Sequence, residues 1–212
     1  MYTPRAFALE DLPELQQLIQ HTRLAQLVTV GEQGLLASHL PLLLNPDEGA
    51  HGTLYGHLAK ANPQWKDLQN GGEALVIFAG AEAYISPAFY PAKAEHGKVV
   101  PTWNYIAVHA YGKAEVFSDA ERLLGVVTTL TDRHEGGRDQ PWKVSDAPSD
   151  YIDGMLKAIV GFALPIERLI GKRKLSQNRS PADIAGVREG LAASQDVRDQ
   201  TLARFIPQGV AE

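Results

Sequence analysis

The densest chemistry in this chain lies in Gly171-Lys172-Arg173-Lys174-Leu175-Ser176-Gln177-Asn178-Arg179-Ser180. Four cations and four neutral polar side chains fall within ten residues of a chain whose net charge is −5. Arg168 stands just upstream, and no acid interrupts the run. Such a string supplies donors for a phosphate or for the polar edge of a ligand; a solvated basic loop is the simpler alternative. In Gly56-His57-Leu58-Ala59-Lys60-Ala61-Asn62-Pro63, His57 ends a strand, Lys60 sits in a turn and Asn62 caps a helix that begins at Pro63. Free N–H groups at a helix start, with an ammonium nearby, make a phosphate cradle; the alternative is a capped surface helix. Thr102-Trp103-Asn104-Tyr105 offers flat faces for stacking and an amide that both donates and accepts, unless Trp103 is simply buried and Asn104 serves a turn. The three strings together point to a phosphorylated, planar ligand.

Other chemistries are excluded or disfavoured. Cysteine is absent, which removes thiol catalysis, thiolate metal sites and disulfides and fits a reducing compartment. His39, His57 and His109 lack metal-site spacing, so no metal is expected. Gly-x-Gly-x-x-Gly, P-loop and Gly-x-Ser-x-Gly strings are missing, which argues against Rossmann, P-loop and hydrolase readings. The acidic balance opposes binding of nucleic acid by the whole surface, although a local basic face could do so. No run approaches the roughly 18 apolar residues of a membrane span. The first residues lack the layout of a secretory signal, so a cytoplasmic protein is expected.

The elements that must position these strings follow from periodicity. Leu9, Leu12, Leu15, Leu18 and Ile19 recur at helical spacing and predict a helix over about 9–22. Residues 24–30 and 35–44 read as a hairpin joined by Gly31-Glu32-Gln33-Gly34, with Pro41 at an edge or bulge. A strand at 53–58, a short helix ended by Gly71-Gly72, and extended segments at 73–80 and 83–86 follow; 91–98 reads as a loop. From 106 to 116 strict alternation places Ile106, Val108, Ala110, Gly112, Ala114 and Val116 on one face. Ser118 with Glu121 reads as a capping box opening a helix to about 131. Residues 132–150 read as a long loop anchored by Trp142, followed by a helix (150–158) and a strand (159–168). Ser180 and Ser194 are expected to start the last two helices. This order favours an antiparallel barrel with helical decoration over alternating βαβ units. The expected division is 1–180 for the barrel domain and 181–212 for a helical extension packed on it.

Five strings carry a family likeness: Ser38-His39-Leu40-Pro41, the 56–63 segment, Tyr84-Ile85-Ser86-Pro87, Val100 to Tyr105 followed by Val108-His109, and Lys174 to Arg179. Through them the chain resembles the PaiB-type family, also described as FMN-binding negative transcriptional regulators. One position departs: Arg173 stands where an aromatic residue is expected. The resemblance implies a mainly β fold with helical decoration, an FMN-binding split β-barrel, usually a homodimer with flavin at the subunit interface. It places His57 and Lys60 by the phosphate and Ser38, His39 and Leu40 beside the ring, with Asn62 nearby. Trp103, Asn104, Lys174, Ser176, Gln177 and Arg179 would complete the pocket, from the partner subunit in one arrangement. Flavin-dependent redox chemistry or flavin sensing is the implied activity. Direct DNA binding by a repressor and haem binding remain alternatives, the first opposed by the lack of a helix-turn-helix with a basic recognition helix.

Overall fold

Alternating burial shapes the strands of the computed structural model, which describes residues 1–32 and 34–208. Gln33 of the expected hairpin turn and residues 209–212 of the expected extension lie outside the described residues. The strands are β1 (Ala8–Leu9), β2 (Ala25–Gly31), β3 (Gly34–Leu40), β4 (Leu43–Asn45), β5 (Thr53–Ala59), β6 (Ala74–Ile85), β7 (Thr102–Gly112), β8 (Glu115–Phe117), β9 (Ile159–Pro165) and β10 (Arg168–Lys174). The helices are α1 (Leu12–His21), α2 (Gln64–Gln69), α3 (Ala92–His96), α4 (Ala120–Glu135), α5 (Ser149–Lys157), α6 (Pro181–Ala192) and α7 (Val197–Ala203). Two sheets result, ordered β1-β10-β7-β6-β2-β3 and β4-β5-β9-β8. The fold is mainly β with helices, as expected, and among the described residues the sheets do not close into one barrel.

The chain divides into two compact units, and β6, β7 and β10 run through both. One unit comprises residues 12–78 and 109–169. Its β2–β3 hairpin pairs from Ala25↔Leu40 to Gly31↔Gly34. Gln64, fully buried on α2, donates from Nε2 to Leu27 O and Leu36 O, so one side chain ties both strands of the hairpin. In the second sheet β5 pairs with β4 and β9. The Asp119 side chain accepts from the Arg122 N–H and starts α4, whose Leu123, Val126 and Leu130 form one buried stripe. That stripe packs with Phe117, Leu156 and Ala163, and each buried leucine contributes roughly 1.5–3 kcal/mol.

The other unit comprises residues 1–11, 79–108 and 170–208. Here β1 pairs with β10 through Ala8↔Lys172 and Leu9↔Gly171. A 3-10 turn at Pro87–Phe89 seats against α6 so closely that a Cβ on Gly186 would lie 2.1 Å from Phe89 O. Buried Asp183 of α6 accepts from the Ala92 N–H, holding the same turn's exit.

Several expected boundaries are corrected. The two extended segments expected at 73–80 and 83–86 form one strand, β6, whose buried parity shifts from Ala74, Val76 and Phe78 to Ala83 and Ile85 across the exposed Ala79-Gly80 step. The 91–98 loop contains α3, which Gly97 ends at a left-handed φ of 68°. The 106–116 strand breaks after Gly112, and β8 resumes at Glu115. Pro41 falls between β3 and β4 and splits the expected 35–44 strand. Asp119 and Asp196, not Ser118 and Ser194, cap α4 and α7, since a carboxylate was available one or two residues later. The helix from there reaches Glu135 rather than 131, and a 3-10 turn at Val144–Asp146 lies inside the expected loop. The basic run is not a loop throughout: its first part is strand β10.

Candidate functional site

Within the unit that holds Trp103 and Ser176, the alternation of β7 buries Asn104, Ile106 and Val108 on one face. Asn104 therefore takes an inward position that the pattern otherwise gives to apolar residues. It is 1% exposed, and its Nδ2 donates to Ser176 Oγ at 2.9 Å. Ser176 is buried and, among the described non-glycine residues, alone has positive φ, at 66°. Asn104 Oδ1 is buried with no hydrogen-bond partner among the described residues. An acceptor left this way costs about 1–3 kcal/mol, so the position suits a donor supplied from outside the chain.

The cations of the basic run are engaged internally. Lys172 is 6% exposed, donates to Tyr2 O at 3.0 Å, and lies 5.8 and 5.0 Å from the Tyr2 and Tyr105 ring centroids. Lys174 donates to Thr102 Oγ1 and Trp103 O. Burial, then the charges of Lys172 and Arg179, lower its pKa. Arg179 stacks 4.9 Å from the Tyr90 ring centroid. Gln177 Oε1 accepts from the Leu175 N–H at 2.7 Å, and its Nε2 donates to Arg173 O, closing the turn on itself. Trp103 remains 53% exposed, with Tyr84 edge-on at 6.0 Å. The structure thus brings Trp103, Asn104, Lys174 and Ser176 together and turns Gln177 and Arg179 to local supports.

The other unit holds the remaining expected residues. Asn62 Nδ2 donates to Ser38 Oγ at 2.9 Å, and its Oδ1 accepts from the Gln64 N–H at 3.0 Å. By dihedral angles α2 starts one residue later than expected, with Pro63 at its cap, yet Asn62 still supplies the capping bond. Leu40 is buried, whereas His39, between it and Ser38 on the pleat, is exposed. Lys60 is exposed, and its ammonium makes no ion pair among the described residues. His57 instead lines a cavity of about 450 Å³ with residues of α4 and Trp142. Its Nδ1 is buried and has no partner among the described residues, and burial lowers its pKa, so the ring is neutral near pH 7. Lys60 is not among the residues lining that cavity.

His134, Glu135 and Trp142 around His57 were not foreseen as site residues. The legible signal was the isolated tryptophan in a long polar segment. The pairing of buried Tyr90 with Arg179 was likewise not foreseen, and local pattern carries no sign of it.

Residues 1–168 match the family described as "Putative FMN-binding domain". The chain is 33% identical over 206 residues to the Bacillus subtilis (strain 168) protein named "Protease synthase and sporulation protein PAI 2", covering 97% of this chain and 96% of that one. It is 37% identical over 236 residues to an uncharacterized Aspergillus fumigatus protein, covering 90% of each. Among solved structures it is similar to the FAD and heme binding protein from Mycobacterium smegmatis, with a TM-score of 0.57 and 18% identity over 87% of this chain and 78% of that one. It is also similar to the conserved hypothetical protein Rv2991 from Mycobacterium tuberculosis, with a TM-score of 0.58 and 13% identity over 84% and 92% of the two chains. At these identities the structural likeness establishes the split-barrel fold. The chain belongs to the PaiB-type FMN-binding family, and FMN is the cofactor this membership gives it.

Proposed function

We propose, with family membership as the premise, that the chain binds FMN as a homodimer and couples flavin occupancy or redox state to negative regulation of transcription in the cytoplasm. The observation that carries the binding reading is the unpartnered, buried Asn104 Oδ1 held by Ser176. A flavin ring offers an N–H at its pyrimidine edge, a flat face and a phosphate tail. An inward acceptor, the exposed Trp103 and the free ammonium of Lys60 fit those three features. When bound, FMN supplies hydride and single-electron transfer.

The chain's own residues then have distinct tasks. Asn104 accepts from the ring N–H, and Ser176 fixes which way the amide points. Lys60 neutralises the phosphate. Ser38, anchored by Asn62, and Leu40 present strand β3 to the ring. Lys174, Gln177 and Arg179 act by position, holding Thr102–Trp103 and the 175–179 turn. In the homodimer the two sets of residues come from different subunits. Family likeness supports the regulatory role, and among the described residues no helix is long and apolar enough to cross a membrane.

Extraction of purified protein, with mass spectrometry of the released ligand and titration of stripped protein with FMN, tests this reading. FMN release and saturable rebinding, weakened in Asn104→Leu while the variant still melts cooperatively, are expected. A stripped protein that takes up no FMN at millimolar concentration sinks it. Operator-length DNA retained at physiological salt supports the regulatory part; none retained even at low salt refutes direct DNA contact.

A further inference from the structure

The cavity beside His57 belongs wholly to the unit of residues 12–78 and 109–169, and Lys60, to which the reading above gives the phosphate, does not line it. Its apolar lining comes from Pro41, Val127 and Leu130, and its polar lining from His57, Thr131, His134 and Glu135. Trp142 forms one wall. That wall is held by Glu135, whose carboxylate accepts from the Trp142 backbone N–H at 3.1 Å and pairs with Arg138 at 3.0 Å. Among the described residues no Lys or Arg lines the cavity, and neighbouring Arg133 donates its guanidinium to Leu42 O at 3.0 Å. An anion would thus meet a carboxylate without a facing cation. An indole wall over an apolar floor favours a flat, uncharged ring instead.

We propose that this cavity is a second binding site, for a small uncharged heteroaromatic molecule, with Trp142 as its stacking wall and His57 as its hydrogen-bonding partner. Its volume of about 450 Å³ lies in the range of small-molecule pockets. With Nδ1 buried, the neutral imidazole meets a ligand through Nε2, which donates to a bare ring nitrogen or accepts from an N–H according to tautomer.

Benzimidazole, uncharged near neutral pH and bearing both groups, is the probe; benzoate is the anionic control. Each is titrated into the full chain with and without saturating FMN, following the imidazole signals of His57 and His134 and the indole N–H of Trp142 by NMR. Saturable benzimidazole shifts at these residues, none with benzoate, and a loss of about tenfold or more in Trp142→Ala support the site. His57→Phe, which keeps the volume and removes both nitrogens, should weaken binding likewise. FMN uptake by Trp142→Ala should be unchanged. Absence of saturation, equal binding of benzoate, indifference to both substitutions, or displacement of the probe by FMN would each overturn the proposal. Failure of FMN uptake by the unaltered chain bears on the flavin reading alone.

Discussion

The basic run at 172–179 and the 56–63 string look alike in sequence, each mixing cations with neutral polar groups, yet their polar capacity is distributed in opposite ways. In the basic run Lys172, Lys174 and Arg179 are engaged by tyrosines, two carbonyls and a hydroxyl, while the free capacity beside it sits on a neutral acceptor outside the run, Asn104 Oδ1, whose amide is held by the run's Ser176. In the 56–63 string the neutral Asn62 is engaged on both sides, and the cation, Lys60, is free among the described residues. Charge density is therefore a poor guide to binding capacity. What matters is which groups the fold leaves without an internal partner.

Substitutions can break or sharpen this contrast. The largest effect is expected from Lys172→Ala, which empties a buried position between two tyrosines; thermal melting should show a loss of about 3 kcal/mol, with FMN affinity per folded molecule little changed. A weaker FMN with full stability would contradict the assignment of Lys172 to structure. Next, Asn104→Ala should reduce FMN affinity by about thirtyfold in fluorescence titration, close to 2 kcal/mol, for riboflavin and FMN alike. Lys60→Ala should cost FMN about tenfold and riboflavin almost nothing; equal losses would remove Lys60 from the phosphate. The imidazoles of His57 and His109 titrate below the ordinary histidine range because of burial. With folded pKa values below the unfolded one, the unfolded chain binds protons first as pH falls. Stability should then hold above about pH 6.5 and decline below it, a slope that His57→Phe flattens in melting curves. Smallest of all, Arg122→Ala breaks an exposed pair with Glu115 and should move stability by at most about 1 kcal/mol in the same assay.

Much of the frame was legible in the chain. Alternation along β7 marked its inward face, and parity extends that face to Asn104, although the expected strand began two residues later. Caps were legible in kind but not in position, because serine and aspartate compete within two residues at both Asp119 and Asp196. The break at Pro41 and the helix ended by Gly97 had local signals in proline and glycine chemistry. The five family strings carried the cofactor.

By itself the sequence determined the mainly β character, the inward and outward faces of strands and the FMN-binding family, since these rest on short-range periodicity and on motifs. Only the tertiary structure decided which polar groups are engaged. Asn104 meets Ser176 across 72 residues of chain, and Lys172 meets Tyr2 across 170. Such pairings follow from strand register and turn geometry, which fix distances between segments that no local pattern relates.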